Sequence, residues 1–191
     1  MRKLILLAGL AVTMTTAFGQ KKLEKLDDVK EKIDKQKYDE AKEKLDKVFE
    51  NPEANNSPEA LFYKAVAYHN LGKQKSDSAL SAAASDAMQA YVKVESSKPE
   101  AQQMMLSTLE SHKTLVDIYQ TYFQKGVDNF QKQTYASALN NFEKALNVFD
   151  VLSQKGLTNA KFDTTSNLYA GYSAQNAQKY DQAAKYYDRV I

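Results

Sequence analysis

The chain has 191 residues, 43% hydrophobic and 26% charged, with 6 Gly, 3 Pro and no Cys. That balance excludes global disorder, and so few turn residues exclude an all-β fold built on many tight turns. Without Cys there is no disulfide framework or thiolate metal site, and a formal charge of +2 offers no basic excess for nucleic acid.

Residues 1–19 read as an export signal. Arg2 and Lys3 precede a run of apolar and small residues from Leu4 to Phe18, and Ala17-Phe18-Gly19 places small side chains at the −3 and −1 positions of a cleavage site. The run is shorter than the ~20 residues of a membrane span. Cleavage after Gly19 is expected, with no stable membrane insertion afterwards. The mature chain, 20–191, keeps 24 of the 26 basic residues against 24 acidic ones, a formal charge of zero. The expected destination is a bacterial periplasm, or else secretion.

Two amphipathic helices come next. Leu23, Leu26, Val29 and Ile33 fall about one turn apart, and Tyr38, Ala41, Leu45, Val48 and Phe49 repeat the pattern. The Lys, Glu and Asp between them read as a solvated face with opposite-sign pairs. Residues 51–57 form a loop. Ser57 caps a third helix with Pro58 at its first position, and Gly72 reads as that helix's stop. An alanine-rich helix spans 77–94. Ser97 and Glu100 have capping-box spacing and open a fifth segment, expected to break near 107–111 before it runs to about Lys132. Residues 135–149, 165–178 and 180 onward complete an all-α chain of about four helix pairs.

Four segments share a spacing of three, four and three residues: Tyr38, Ala41, Leu45, Val48; Ala84, Ala87, Tyr91, Val94; Tyr135, Ala138, Phe142, Ala145; and Tyr180, Ala183, Tyr187, Val190. Gly126 precedes Ala138 by twelve. This pattern resembles the tetratricopeptide repeat, most directly at Gly126, Ala138, Phe142 and Ala145. The resemblance implies antiparallel helix pairs that cross at a small residue, are plugged by a ring, and stack as an α-solenoid. The anchor alanines lie 46, 51 and 45 residues apart, against a family unit of about 34, so the repeats are longer than usual. Ile191 falls where the last helix is expected to continue, in this chain or beyond it.

Catalytic signals are missing from the sequence. His69 and His112 each stand alone, no glycine-rich loop is present to cradle phosphate, and adjacent acids such as Asp27-Asp28 diverge by about 100° on a helix. No enzyme activity, metal or cofactor is expected. The resemblance implies instead a concave groove lined by the first helix of each pair. Its candidates are Phe62, Val66, His69 and Asn70; then Gln120, Phe123, Val127, Phe130 and Gln131; then Leu168, Tyr172, Gln175 and Asn176. Met104-Met105-Leu106 is a further apolar patch. The expected function is a protein-interaction scaffold that binds a peptide or protein segment outside the cytoplasm. The alternatives are the input portion of a larger signalling or envelope-assembly protein, and a glycan-binding repeat protein. Family members that clamp chaperone tails use Lys and Asn where Phe, Val and Leu stand here, so that ligand class is not expected.

Overall fold

The computed structural model describes residues 26–104 and 109–191. The export signal, Leu23 and the pair Met105-Leu106 lie outside the described residues. Within them the chain is all-helical: α1 (Leu26–Asp34), α2 (Tyr38–Val48), α3 (Pro58–Lys75), α4 (Ser78–Ser96), α5 (Leu109–Gln131), α6 (Tyr135–Gln154), α7 (Thr164–Asn176) and α8 (Tyr180–Asp188). Short 3₁₀ turns at Pro52–Asn56 and Glu100–Gln102 precede α3 and α5.

The starts of several helices follow from local chemistry. Ser57 Oγ accepts from Ala60 N–H at 3.2 Å, and Pro58 sits where a missing N–H costs nothing. Asp77 accepts from Ala79 and Leu80 N–H at 2.8 and 3.0 Å, and Asp163 from Ser166 N–H at 2.9 Å.

One turn closes all four helical hairpins. Gln36, Ser76, Gln133 and Gln178 adopt left-handed backbone, with φ of 56°, 51°, 59° and 61°. After each, the next residue's N–H reaches back five positions: Lys37 to Lys32 O, Asp77 to Gly72 O, Thr134 to Asn129 O and Lys179 to Ala174 O, all at 2.8–2.9 Å. This is Schellman closure, which satisfies carbonyls that a helix end leaves unpaired. Glycine, the usual occupant of the left-handed position, holds it where the same closure ends α6, at Gly156 (φ 66°) with Leu157 N–H on Leu152 O at 2.8 Å; within the hairpins three Gln and a Ser hold it.

Two expectations about helix ends are overturned. Gly72 does not stop α3, which runs on to Lys75. A Cβ at Gly72 would stand 2.8 Å from Ser81 Oγ and 3.1 Å from Ser81 N, so glycine is there to let α4 approach. Ser97 does not cap the following segment. It closes α4, donating its hydroxyl to Val94 O at 2.7 Å, and Glu100 opens only a 3₁₀ turn.

Successive helices pack as hairpins, α1 with α2, α3 with α4, α5 with α6 and α7 with α8, while α2 meets α3 and α6 meets α7. Alternate helices also touch: α1 with α3, α3 with α5, and α4 with α6. The largest apolar cluster runs from Val29 through α3, α4 and α5 to Leu152. A second joins Ala138, Leu139, Phe142 and Leu146 to Ala170, Ala174 and Ala183.

Candidate functional site

The four turns supply a common register. Seven residues before each left-handed position stand Val29, His69, Gly126 and Gly171; nine after it stand Leu45, Ser85, Phe142 and Tyr187. In the last two hairpins these partners meet. A Cβ on Gly126 would lie 2.6 Å from Phe142 Cε1, and one on Gly171 would lie 2.5 Å from Tyr187 Cε1. Where the first partner is glycine the second is a ring; where the first is Val the second is Leu; where it is His the second is Ser. Each pair carries about seven or eight side-chain heavy atoms, as a close-packed interior of fixed spacing requires.

This register corrects the second segment. Counted from the turn, Ser81 and not Ala87 stands where Ala41, Ala138 and Ala183 stand, five residues after the left-handed position. Tyr91 is nonetheless a core residue, fully buried with its ring 5.3 Å from that of Phe62.

The exchange of bulk at the second hairpin puts a titratable ring in the interior. His69 is 6% exposed, and its Nε2 lies 2.8 Å from Asp117 Oδ2 on α5. Lys73 Nζ donates to both oxygens of Asp117, at 2.8 and 2.7 Å. Burial pushes His69 below its ordinary pKa, more than Asp117 pulls it up, so the imidazole is neutral at pH 7. Burial opposes ionisation of Asp117 too, yet Lys73 and His69 hold its carboxyl below the usual range.

Beside this triad a cavity of about 140 Å³ opens between α3, α4 and α5. His69, Lys73, Ser81, Ser85, Thr121, Tyr122 and Lys125 supply its polar lining, and Ala84 and Ile118 its apolar part. Tyr122 is 4% exposed and its hydroxyl closes no hydrogen bond, although Ser85 and Gln89 stand nearby. Burial raises its pKa, so the group keeps its proton. Sequence reasoning ranked none of Ser81, Ser85, Thr121, Tyr122 or Lys125, because nothing in their spacing distinguishes them from ordinary helix positions.

The groove candidates divide. Phe62 and Val66, both 2% exposed, and His69 are interior residues and cannot line a surface, because α4 and α5 cover that side of α3. Phe123 and Phe130 are half-buried and spent on packing between helices. The Phe123 ring lies 5.6 Å from Phe142 and 6.0 Å from Tyr169, and Phe130 lies 5.9 Å from Tyr169. Val127 and Leu168 are half-buried as well. Asn70 is half-buried and turns its amide back onto Val66 O at 2.9 Å. Gln120, Gln131, Tyr172, Gln175 and Asn176 reach solvent. Tyr172 is 45% exposed, and Gln175 Oε1 accepts from the Tyr187 hydroxyl at 2.7 Å.

Two other buried polar clusters hold segments in place. Glu95, 3% exposed, accepts from Met104 N–H at 2.5 Å and Lys155 Nζ at 2.9 Å, tying the segment after α4 to the end of α6. Asp163 accepts from the Tyr119 hydroxyl at 2.7 Å, fastening the start of α7 to α5. His112 is half-buried near the start of α5. Among the described residues no helix is long and apolar enough to cross a membrane, and no three metal-ligating side chains gather. No family model, curated protein or solved structure matches the chain.

Proposed function

We propose that the chain is a non-catalytic scaffold of the tetratricopeptide type, working outside the cytoplasm, that holds a peptide or protein segment against the exposed side chains of its odd-numbered helices. The observation that supports this reading is one left-handed, Schellman-closed turn joining the helices of four successive hairpins, with a glycine against a ring where the helices of the last two meet. A repeated unit that buries little alone gains stability by stacking, and stacking makes an extended face suited to extended ligands. Gln120, Gln131, Tyr172, Gln175 and Asn176 are the surface members of the expected groove. Tyr172 is the natural anchor, an amphipathic ring with few rotamers to immobilise.

Selection of displayed peptides on the immobilised chain tests this. Peptides recovered with wild type are expected to bind Tyr172→Ala at least tenfold more weakly and to bind Glu43→Ala, on the exposed face of α2, unchanged. Equal binding to Tyr172→Ala would retire the surface. The export reading is checked by mass spectrometry of protein from the producing cell: an N-terminus at Gln20 supports it, and an intact Met1 in mature protein opposes it.

A further inference from the structure

We infer that the segment held at Tyr172 is an uncharged peptide, gripped by its backbone through the side-chain amides of Gln175 and Asn176. This rests on the peptide-binding reading and adds the ligand's chemical class to it.

Charge is spread unevenly over the molecule. The surface of α1 and α2 is laced with ion pairs, Lys30–Asp34, Lys32–Glu40, Lys42–Asp46 and Lys44–Asp28 among them. Among the described residues α7 is the one helix with no charged side chain from end to end. Exposed helix positions are where charged side chains ordinarily stand, and such residues make up 26% of this chain. Yet α7 shows solvent Thr164, Thr165, Tyr172, Gln175 and Asn176. Gln120 and Gln131, the exposed groove members on α5, are neutral as well. Lys161 and Lys179 stand beyond the two ends of α7 in sequence. A charged ligand side chain laid on this face loses water and finds no counter-charge, which costs free energy; a neutral one escapes that cost.

Donor accounting then narrows the mode of binding. Gln175 Oε1 accepts from the Tyr187 hydroxyl at 2.7 Å, which leaves the amide's N–H groups to give. Asn176 Nδ2 donates to Tyr172 O at 2.8 Å, which leaves its Oδ1 to accept. Two neighbouring exposed amides therefore offer one donor and one acceptor, the complement of the C=O and N–H that every residue of an extended peptide carries. Beside them the Tyr172 ring, packed on Tyr169 and Tyr187, supplies apolar contact that does not depend on charge.

The test is selection of displayed peptides on the full immobilised chain, followed by affinity measurements on those that need Tyr172. Such peptides are expected to be depleted of Lys, Arg, Asp and Glu. Their affinity is expected to change less than about twofold between about 50 and about 500 mM sodium chloride, because no screened pair forms. N-methylation at one backbone position is expected to weaken binding to wild type about tenfold, and to have little further effect on Asn176→Ala. Peptides that need Tyr172 but are rich in charge, or that weaken more than about tenfold over that salt range, would overturn the inference while the binding surface stands. Equal binding to Tyr172→Ala would remove the surface and the inference with it. Saturable binding of neutral chitohexaose with no peptide recovered would assign the face to a glycan and overturn the peptide.

Discussion

The α3–α4 and α5–α6 hairpins close with the same turn and fill their centres by different means. In α5–α6, Gly126 lies under the ring of Phe142, which belongs to an apolar cluster with Ala138, Leu139 and Leu146. In α3–α4 the bulk stands on the other helix as His69, Ser85 occupies the partner position, and a charged triad and a small cavity come with it. What recurs is the turn; at the register positions on either side of it the bulk stands on the second helix in α5–α6 and on the first in α3–α4.

The sharpest break of that comparison is removal of the ring. Phe142 is fully buried, and Phe142→Ala is expected to cost ~3–5 kcal/mol in urea unfolding. Ser85→Ala removes almost no volume, and a cost close to that of Phe142→Ala would mean the two positions are not counterparts. Overpacking comes next. Ala138→Leu, at a residue with no exposure, is expected to cost ~1–3 kcal/mol. Gly126→Ala regains up to ~1 kcal/mol of helix propensity but drives a methyl into a buried ring, for a net loss of ~1–2 kcal/mol. Gly171→Ala is expected to lose less, since the half-exposed Tyr187 ring can swing away.

A smaller effect separates the hairpins by pH. Because the folded pKa of His69 lies below the unfolded value near 6.5, the unfolded chain binds the proton first. Its contribution is complete above pH 6.5 and is lost as pH falls from there through the folded pKa. The melting temperature is expected to drop over that window, and His69→Gln to flatten this part of the curve. Equal slopes in wild type and variant would place the acid sensitivity elsewhere.

The helices were legible because apolar spacing and the caps at Ser57 and Asp77 are local signals. The third hairpin was legible because Gly126, Ala138 and Phe142 stand at the spacing of the resemblance; in the fourth, Ala183 and Tyr187 were legible but Gly171, which meets the Tyr187 ring, was not. The second was misread for the same reason. Ser81 and Ser85 stand at the positions that hold alanine and a ring in the third hairpin, and an alanine and a ring at the same spacing next occur six residues onward, at Ala87 and Tyr91. Gly72 was read as a stop because glycine ends many helices, whereas here it makes room for Ser81. The Phe123 and Phe130 stripe gave no sign of which side of α5 was covered; that depends on Tyr169, more than thirty residues away. The cavity residues became visible only when α3, α4 and α5 were brought together.

The most direct measurement is a double-mutant cycle on His69→Gly and Ser85→Phe, read by urea unfolding, which rebuilds the glycine-and-ring junction of α5–α6 inside α3–α4. If the two side chains share one volume, each single change is destabilising and the pair recovers at least ~1 kcal/mol relative to their sum. Additivity within about 0.5 kcal/mol would contradict the account, because His69 and Ser85 would then be unrelated neighbours and the four hairpins would not be one repeated unit.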